Sequence, residues 1–170
     1  RAIAKQAAST SQMGRFETEF LAADENLAAL ADLSGQWIDR VHARHPPKAI
    51  VLDMDSSVSP THGDQEGAAY NGHFACACYY PLFVFNQFGD LERSELRPGN
   101  VHSADGWRFV LEPVVERYRK RDLRRYFRGD AAFATPDIYE FLEAEGYKYT
   151  IRLKANAILQ QSIAYLLTRP

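Results

Sequence analysis

Cysteine is nearly missing from this chain: Cys76 and Cys78 are the only two among 170 residues. One residue apart in a strand-like stretch, they make a poor disulfide and at most half of a zinc site. They are expected to act as two small residues facing one way, in a reducing cytoplasm. No run approaches the ~18 apolar residues of a transmembrane helix, and no secretory signal opens the sequence, so no membrane partner is expected. Repeats and low-complexity tracts are absent. A basic excess is absent too: the net charge is -2 and the pI near 6.2, so the overall charge does not announce a nucleic-acid binder. What remains is a globular composition, 46% hydrophobic and 25% charged, long enough for one domain and a small appendage.

Charge is unevenly spread. Eight basic residues (Arg108, Arg117, Arg119, Lys120, Arg121, Arg124, Arg125 and Arg128) face three acids (Glu112, Glu116 and Asp122) in that stretch. Phosphate contact needs local rather than overall positive charge, although such a run also suits a solvated face.

Residues 1–45 read as a small helical region. The 2–8 stretch favours helix. Ser9-Thr10-Ser11 can cap a second helix near Gln12. A third starts at Asp24, with Leu27, Leu30, Ser34, Trp37 and Val41 at heptad-like spacing and Gly35 weakening it slightly. His42 and His45 sit near its end, where positive charge is favoured, and Pro46-Pro47 breaks it. From Lys48 the pattern changes. Ala49-Ile50-Val51-Leu52 reads as a central strand covered on both faces, residues 57–71 as loop, residues 73–86 as an aromatic strand, and Leu91 onward as its return strand. A helix is expected over 104–121, capped by Ser103 and either kinked or restarted at Pro113. Then come a strand over 123–129, a helix opened by Thr135-Pro136 and closed by Gly146, a strand over 147–153 and a last helix over 156–167. The order β-β-β-α-β-α-β-α is ribonuclease-H-like. The expected fold is therefore α/β, a mixed five-stranded sheet with flanking helices over 48–170, preceded by the helical region.

In that topology the first and fourth strands lie side by side and run parallel, so their ends bring Asp55 and Asp130 together. Paired carboxylates there offer the hard oxygen ligands that Mg²⁺ needs, with water and phosphate completing the shell. Asp53 points to the same face as Asp55 and is a possible further carboxylate; Asp55 lies nearer the strand end. Turn capping by the same acids stays open as the alternative.

Several stretches resemble DDE-class transposases of bacterial insertion sequences, of the IS4-like group. Leu52-Asp53-Met54-Asp55-Ser56-Ser57 is similar to the first-aspartate motif, and Arg128-Gly129-Asp130-Ala131-Ala132-Phe133 to the second. Pro60-Thr61-His62-Gly63-Asp64-Gln65-Glu66-Gly67-Ala68, Tyr70-Asn71-Gly72 and Glu95-Leu96-Arg97-Pro98-Gly99-Asn100-Val101-His102-Ser103 resemble loops of one branch, and Leu153-Lys154-Ala155-Asn156 the segment after the fifth strand. The likeness implies that Asp55 and Asp130 are catalytic metal ligands for Mg²⁺ or Mn²⁺ of the two-metal type. The implied partners are DNA, as terminal inverted repeats and target, and a second copy in a homodimer. The implied place is the bacterial cytoplasm, at the nucleoid.

Arg97, with a flat fork of donors, Arg128, and Lys154 as a point charge are candidate DNA contacts. The family's third acid, a Glu on a later helix, has no counterpart after Asn156; Glu140, Glu143 and Glu145 lie on the preceding helix. The chain is thus expected to be an inactive piece of a transposase that cleaves and transfers DNA strands. A structure-specific nuclease of the same fold, and a non-catalytic DNA-binding remnant of a decayed element, are the rivals.

Overall fold

The computed structural model describes residues 7–154 and 156–167. Most of the first expected helix therefore lies outside the described residues. Next comes α1 (Thr10–Arg15), opened by a reciprocal cap: the Gln12 amide donates to Ser9 Oγ at 3.3 Å and the Ser9 amide to Gln12 Oε1 at 2.8 Å. A π-helical turn, Phe16–Leu21, leads to α2 (Asp24–Arg44). None of the described helices is long and apolar enough to cross a membrane.

Eight strands follow: β1 (Ala49–Ser56), β2 (Ser59–Pro60), β3 (Ala69–Asn71), β4 (Cys76–Tyr79), β5 (Leu82–Asn86), β6 (Leu91–Glu95), β7 (Arg124–Gly129) and β8 (Lys148–Ile151). Between them run α3 (Trp107–Arg119) and α4 (Pro136–Ala144), and α5 (Ala157–Leu167) comes last. The main sheet has the order β6-β5-β1-β7-β8. β1 pairs antiparallel with β5, and β5 with β6; β1 pairs parallel with β7, and β7 with β8. This is the ribonuclease-H-like arrangement expected from the sequence.

Three expectations change. The aromatic run over 73–86 is two strands, interrupted at Tyr80-Pro81, and β4 joins β2 and β3 in a separate small sheet. β1 is covered on one face only: Ile50, Leu52 and Met54 are buried, while Ala49, Val51 and Asp53 are partly open. The covering comes from α3 and α4, whose Val110, Leu111, Val114, Val115, Tyr118, Ile138, Phe141 and Leu142 form one core with Leu82, Val84 and Phe127. α3 runs through Pro113 and starts later than expected, with Gly106 in the left-handed region at its N-cap (φ 69°). Ser103 does not cap it; its hydroxyl meets Tyr80 Oη at 3.0 Å and its carbonyl accepts from Ser56 Oγ and Arg97.

α2 lies along the β6 edge. Ser34 Oγ donates to the Glu92 carbonyl at 3.2 Å, and Asp32 and Asp39 pair with Arg93 and Arg121. The helix buries Gly35, Ile38 and His42, and Leu27, Leu30, Trp37 and Val41 of the heptad-like series face outward. Gly35 has a packing reason: the Arg117 guanidinium occupies the space a Cβ would take.

His42 departs from its expected role as a charged group at the helix end. It is 5% exposed, between the rings of Phe88 and Tyr118. Burial is the main cause that lowers its pKa; Arg121 lowers it further, while Glu92, Asp39 and Asp90 act the other way. A histidine whose folded pKa is depressed adds stability above the ordinary value near 6.5 and loses it as pH falls below that. The melting temperature of the wild-type chain should therefore fall more steeply between pH 7 and pH 5 than that of His42→Gln. Parallel melting curves for the two proteins would assign the pH dependence elsewhere.

Candidate metal centre

The register of β1 on β7 places Asp53 opposite Arg128 and Met54 opposite Gly129. Asp55 is the next residue on β1, and Asp130 follows Gly129 just beyond the end of β7, still in extended conformation. Side chains alternate along a strand, so Asp55 follows Asp53 onto the open face and Asp130 follows Arg128. That Asp53 and Arg128 share this face is shown directly by their ion pair, with Nε to Oδ1 at 3.2 Å and a closer contact from Nη2 to Oδ2. The structure thus brings Asp55 and Asp130 to neighbouring strand ends on one face, and both are exposed.

Each acid is held by local backbone. Asp55 Oδ1 accepts the Ser56 amide at 2.8 Å. Asp130 Oδ1 accepts the Ala132 amide at 2.8 Å, capping the short 3₁₀ turn Ala131–Phe133. Phe133 is fully buried and anchors that turn. Gly129 lets the anchor approach: a Cβ there would stand 3.2 Å from the Phe127 ring and 3.3 Å from Phe133. In each aspartate one oxygen is fixed, and no hydrogen bond among the described residues reaches the other.

The two acids stand in a trough of about 640 Å³ that runs along the open face, lined by Asp53, Met54, Asp55, Phe85, Asn86, Gly89, Arg128, Gly129, Asp130 and Arg152. An all-oxygen pair with open space beside it fits a hard divalent cation that keeps much of its water. Among the described residues no cluster of three or more His, Cys, Asp or Glu forms a fuller set.

The other expected residues divide. Asp53 is committed to Arg128, so it stands as a counter-charge rather than as a free carboxylate. Lys154 is exposed beyond β8. Glu143 and Glu145 are engaged elsewhere, by Tyr149 and Arg119. Arg97 is not placed for a phosphate: it is 5% exposed, and its guanidinium donates inward to carbonyls and to Ser56 Oγ. Burial pushes its pKa down, while Glu95 and Asp105 act the other way. The sequence reading missed Arg152, which lines the trough; its signal was the alternation Lys148, Thr150, Arg152 continuing past β8.

Residues 1–170 match the family described as transposase DDE domain group 1. No curated protein sequence matches the chain. Among solved structures, a piggyBac transposase synaptic complex with hairpin DNA is 18% identical over 71% of this chain and 26% of that one, with a TM-score of 0.42. The catalytic domain of Mos1 mariner transposase is 13% identical over 99% of this chain and 78% of that one, with a TM-score of 0.45. The Mos1 mariner paired-end complex with Mn is 11% identical over 98% of this chain and 58% of that one, with a TM-score of 0.42. The chain thus spans about a quarter of the piggyBac chain and just over half of the Mos1 chain in its Mn complex.

Proposed function

Because the chain belongs to the transposase DDE domain group 1 family, we propose that it supplies two metal-binding carboxylates, Asp55 and Asp130, to a DNA transposase. The family implies dependence on a divalent cation; the proposal is Mg²⁺ or Mn²⁺, two ions per site. The observation that carries it is the juxtaposition of Asp55 and Asp130 at the ends of parallel neighbours β1 and β7, on the one sheet face that α3 and α4 leave open.

Two cations so held, when bound, supply charge for the attacking and leaving oxygens of a phosphodiester. The chain's own residues position them. Asp55 and Asp130 each offer an oxygen while backbone amides fix the other. Arg152 and Arg128 line the same trough, and Asp53 holds Arg128 in place; the proposal gives the two guanidiniums the phosphates of the strand being cut. In the first step a water oxygen bonds to phosphorus and the bond to the 3′ oxygen breaks, leaving a 3′ hydroxyl and a 5′ phosphate. In the second that hydroxyl oxygen bonds to a target phosphorus and the target's own bond from phosphorus to its 3′ oxygen breaks, leaving a free 3′ hydroxyl on the target. Terminal inverted repeats and target DNA are the substrates, a homodimer the assembly, and the bacterial nucleoid the place. A non-catalytic remnant is the second reading, favoured because the described residues contain no group of three or more His, Cys, Asp or Glu placed to hold a metal.

The test is nicking and joining of a plasmid carrying the element's own ends by the complete protein. Metal-dependent nicking that disappears in both Asp55→Asn and Asp130→Asn is expected. Nicking that survives both substitutions overturns the reading, nicking without joining favours a nuclease, and neither activity favours the remnant.

A further inference from the structure

Arg97 is the most heavily bonded side chain near the carboxylates, and the trough does not include it. Its Nε donates to the Tyr80 carbonyl at 3.0 Å. Nη1 donates to the carbonyls of Ser103 at 3.1 Å and His102 at 3.4 Å, and more closely to that of Asp105. Nη2 alone reaches another element: it donates to Ser56 Oγ at 3.0 Å. The Ser56 hydroxyl in turn donates to the Ser103 carbonyl at 3.2 Å, and the Ser56 amide donates to Asp55 Oδ1 at 2.8 Å. The Tyr80 ring lies 5.7 Å from the guanidinium carbon, and Tyr80 Oη meets Ser103 Oγ at 3.0 Å.

From this chain of contacts we infer that Arg97 is a positioning residue for Asp55. The fork ties the loop at residues 102–105 to the end of β1, fixes the Ser56 peptide, and through the Ser56 amide aims the Asp55 carboxylate. The inference rests on the reading of Asp55 as a metal ligand. Loop bonding alone does not account for Ser56: four carbonyls already take the other donors, and the Ser56 bond adds only a link to the strand end. Lysine keeps the charge but offers a single ammonium point, which cannot span Tyr80 and Ser56 at once.

Outer partners that orient a metal ligand cost about 10–100-fold in metal affinity when lost. Mn²⁺ titration by calorimetry of the wild-type chain, Arg97→Lys, Ser56→Ala, Ser56→Thr and the double variant Arg97→Lys/Ser56→Ala tests the idea. We expect about tenfold weaker binding in Arg97→Lys and in Ser56→Ala, wild-type affinity in Ser56→Thr, and no further loss in the double variant, because both single changes cut one chain of contacts. Melting curves show whether each variant is folded. Wild-type affinity in Ser56→Ala, or losses that multiply in the double variant, overturns the inference. Amide exchange over residues 54–57, measured without metal, separates this inference from the metal reading. If the wild type binds no Mn²⁺, faster exchange in Arg97→Lys and Ser56→Ala but not in Ser56→Thr keeps the positioning role and removes the metal. Unchanged exchange then removes both.

Discussion

Asparagine at either Asp55 or Asp130 is expected to weaken Mn²⁺ binding to the folded chain by about 100-fold, close to 2.7 kcal/mol. The substitution is nearly isosteric. Its amide oxygen can still accept the Ser56 amide at position 55 and the Ala132 amide at position 130, so the local turns persist, and asparagine is as good a cap as aspartate. What it removes is one of two negative charges. Hard cations are held by charge and oxygen count, and only two carboxylates stand free at this end of the trough. Asp53→Asn is the control. Asp53 is neutralised by Arg128, so its removal should change affinity only a few-fold, through the positive charge it releases. The metal-free proteins give an independent sign. Two carboxylates at adjacent strand ends repel when no cation lies between them, so Asp55→Asn and Asp130→Asn should melt no lower than the wild type without metal, and the wild type should gain more on adding Mn²⁺. Calorimetry together with melting curves in EDTA and in Mn²⁺ measures both. Equal Mn²⁺ affinity in wild type, Asp55→Asn and Asp130→Asn would remove the metal assignment.

The sheet was legible because its signals are local. The apolar run leading into Asp53 marks a central strand, and Asp130 ends the next strand to pair with it. Parallel pairing of those strands, supplied by the ribonuclease-H-like order of elements, then sets Asp55 beside Asp130. Arg97 misled because its partners are backbone carbonyls of Tyr80, Ser103 and Asp105, which converge only in the fold; a sequence shows its charge and turn position, and both suit a phosphate equally well. The heptad-like series of α2 was visible, but not which side is buried, since the inward side depends on Gly35 admitting Arg117 from α3. The small sheet escaped notice because β2, β3 and β4 span two to four residues, too few for a period to register. In β6 the alternation around Glu92 carries no hint that this acid is buried, because its compensating groups lie on α3 and β5.

That buried acid should be the most sensitive position in the fold. Glu92 is 1% exposed. Its Oε1 accepts from Tyr118 Oη at 2.7 Å and from Asn86 Nδ2 at 2.8 Å, and its Oε2 pairs with Arg117. The carboxylate thereby ties β6 to β5 and α3, and through Arg117 against Gly35 to α2. Burial, with Glu92 as the next cause, raises the Tyr118 pKa strongly, so the phenol stays protonated and remains a donor. Glu92→Ala leaves that donor, the Asn86 amide and the Arg117 guanidinium without their acceptor. Breaking a buried pair by removing one partner costs about 3–5 kcal/mol, a large part of the ~5–15 kcal/mol that holds a domain folded. Glu92→Gln retains an acceptor oxygen for Tyr118 or Asn86 and loses the negative charge that pairs with Arg117, so a loss of about 1–3 kcal/mol is expected. Tyr118→Phe removes one donor and leaves the carboxylate with two partners, which should cost about 1 kcal/mol. Urea denaturation orders the three: the midpoint should fall most in Glu92→Ala and least in Tyr118→Phe, with the slope unchanged. Amide exchange in α2 should quicken in Glu92→Ala, because Arg117 loses the acid that holds it against Gly35. A Glu92→Ala protein within about 1 kcal/mol of wild type would show that the cluster is solvated in solution and that α2 is held without it, by its ion pairs to Arg93 and Arg121, the Ser34 bond and its buried face.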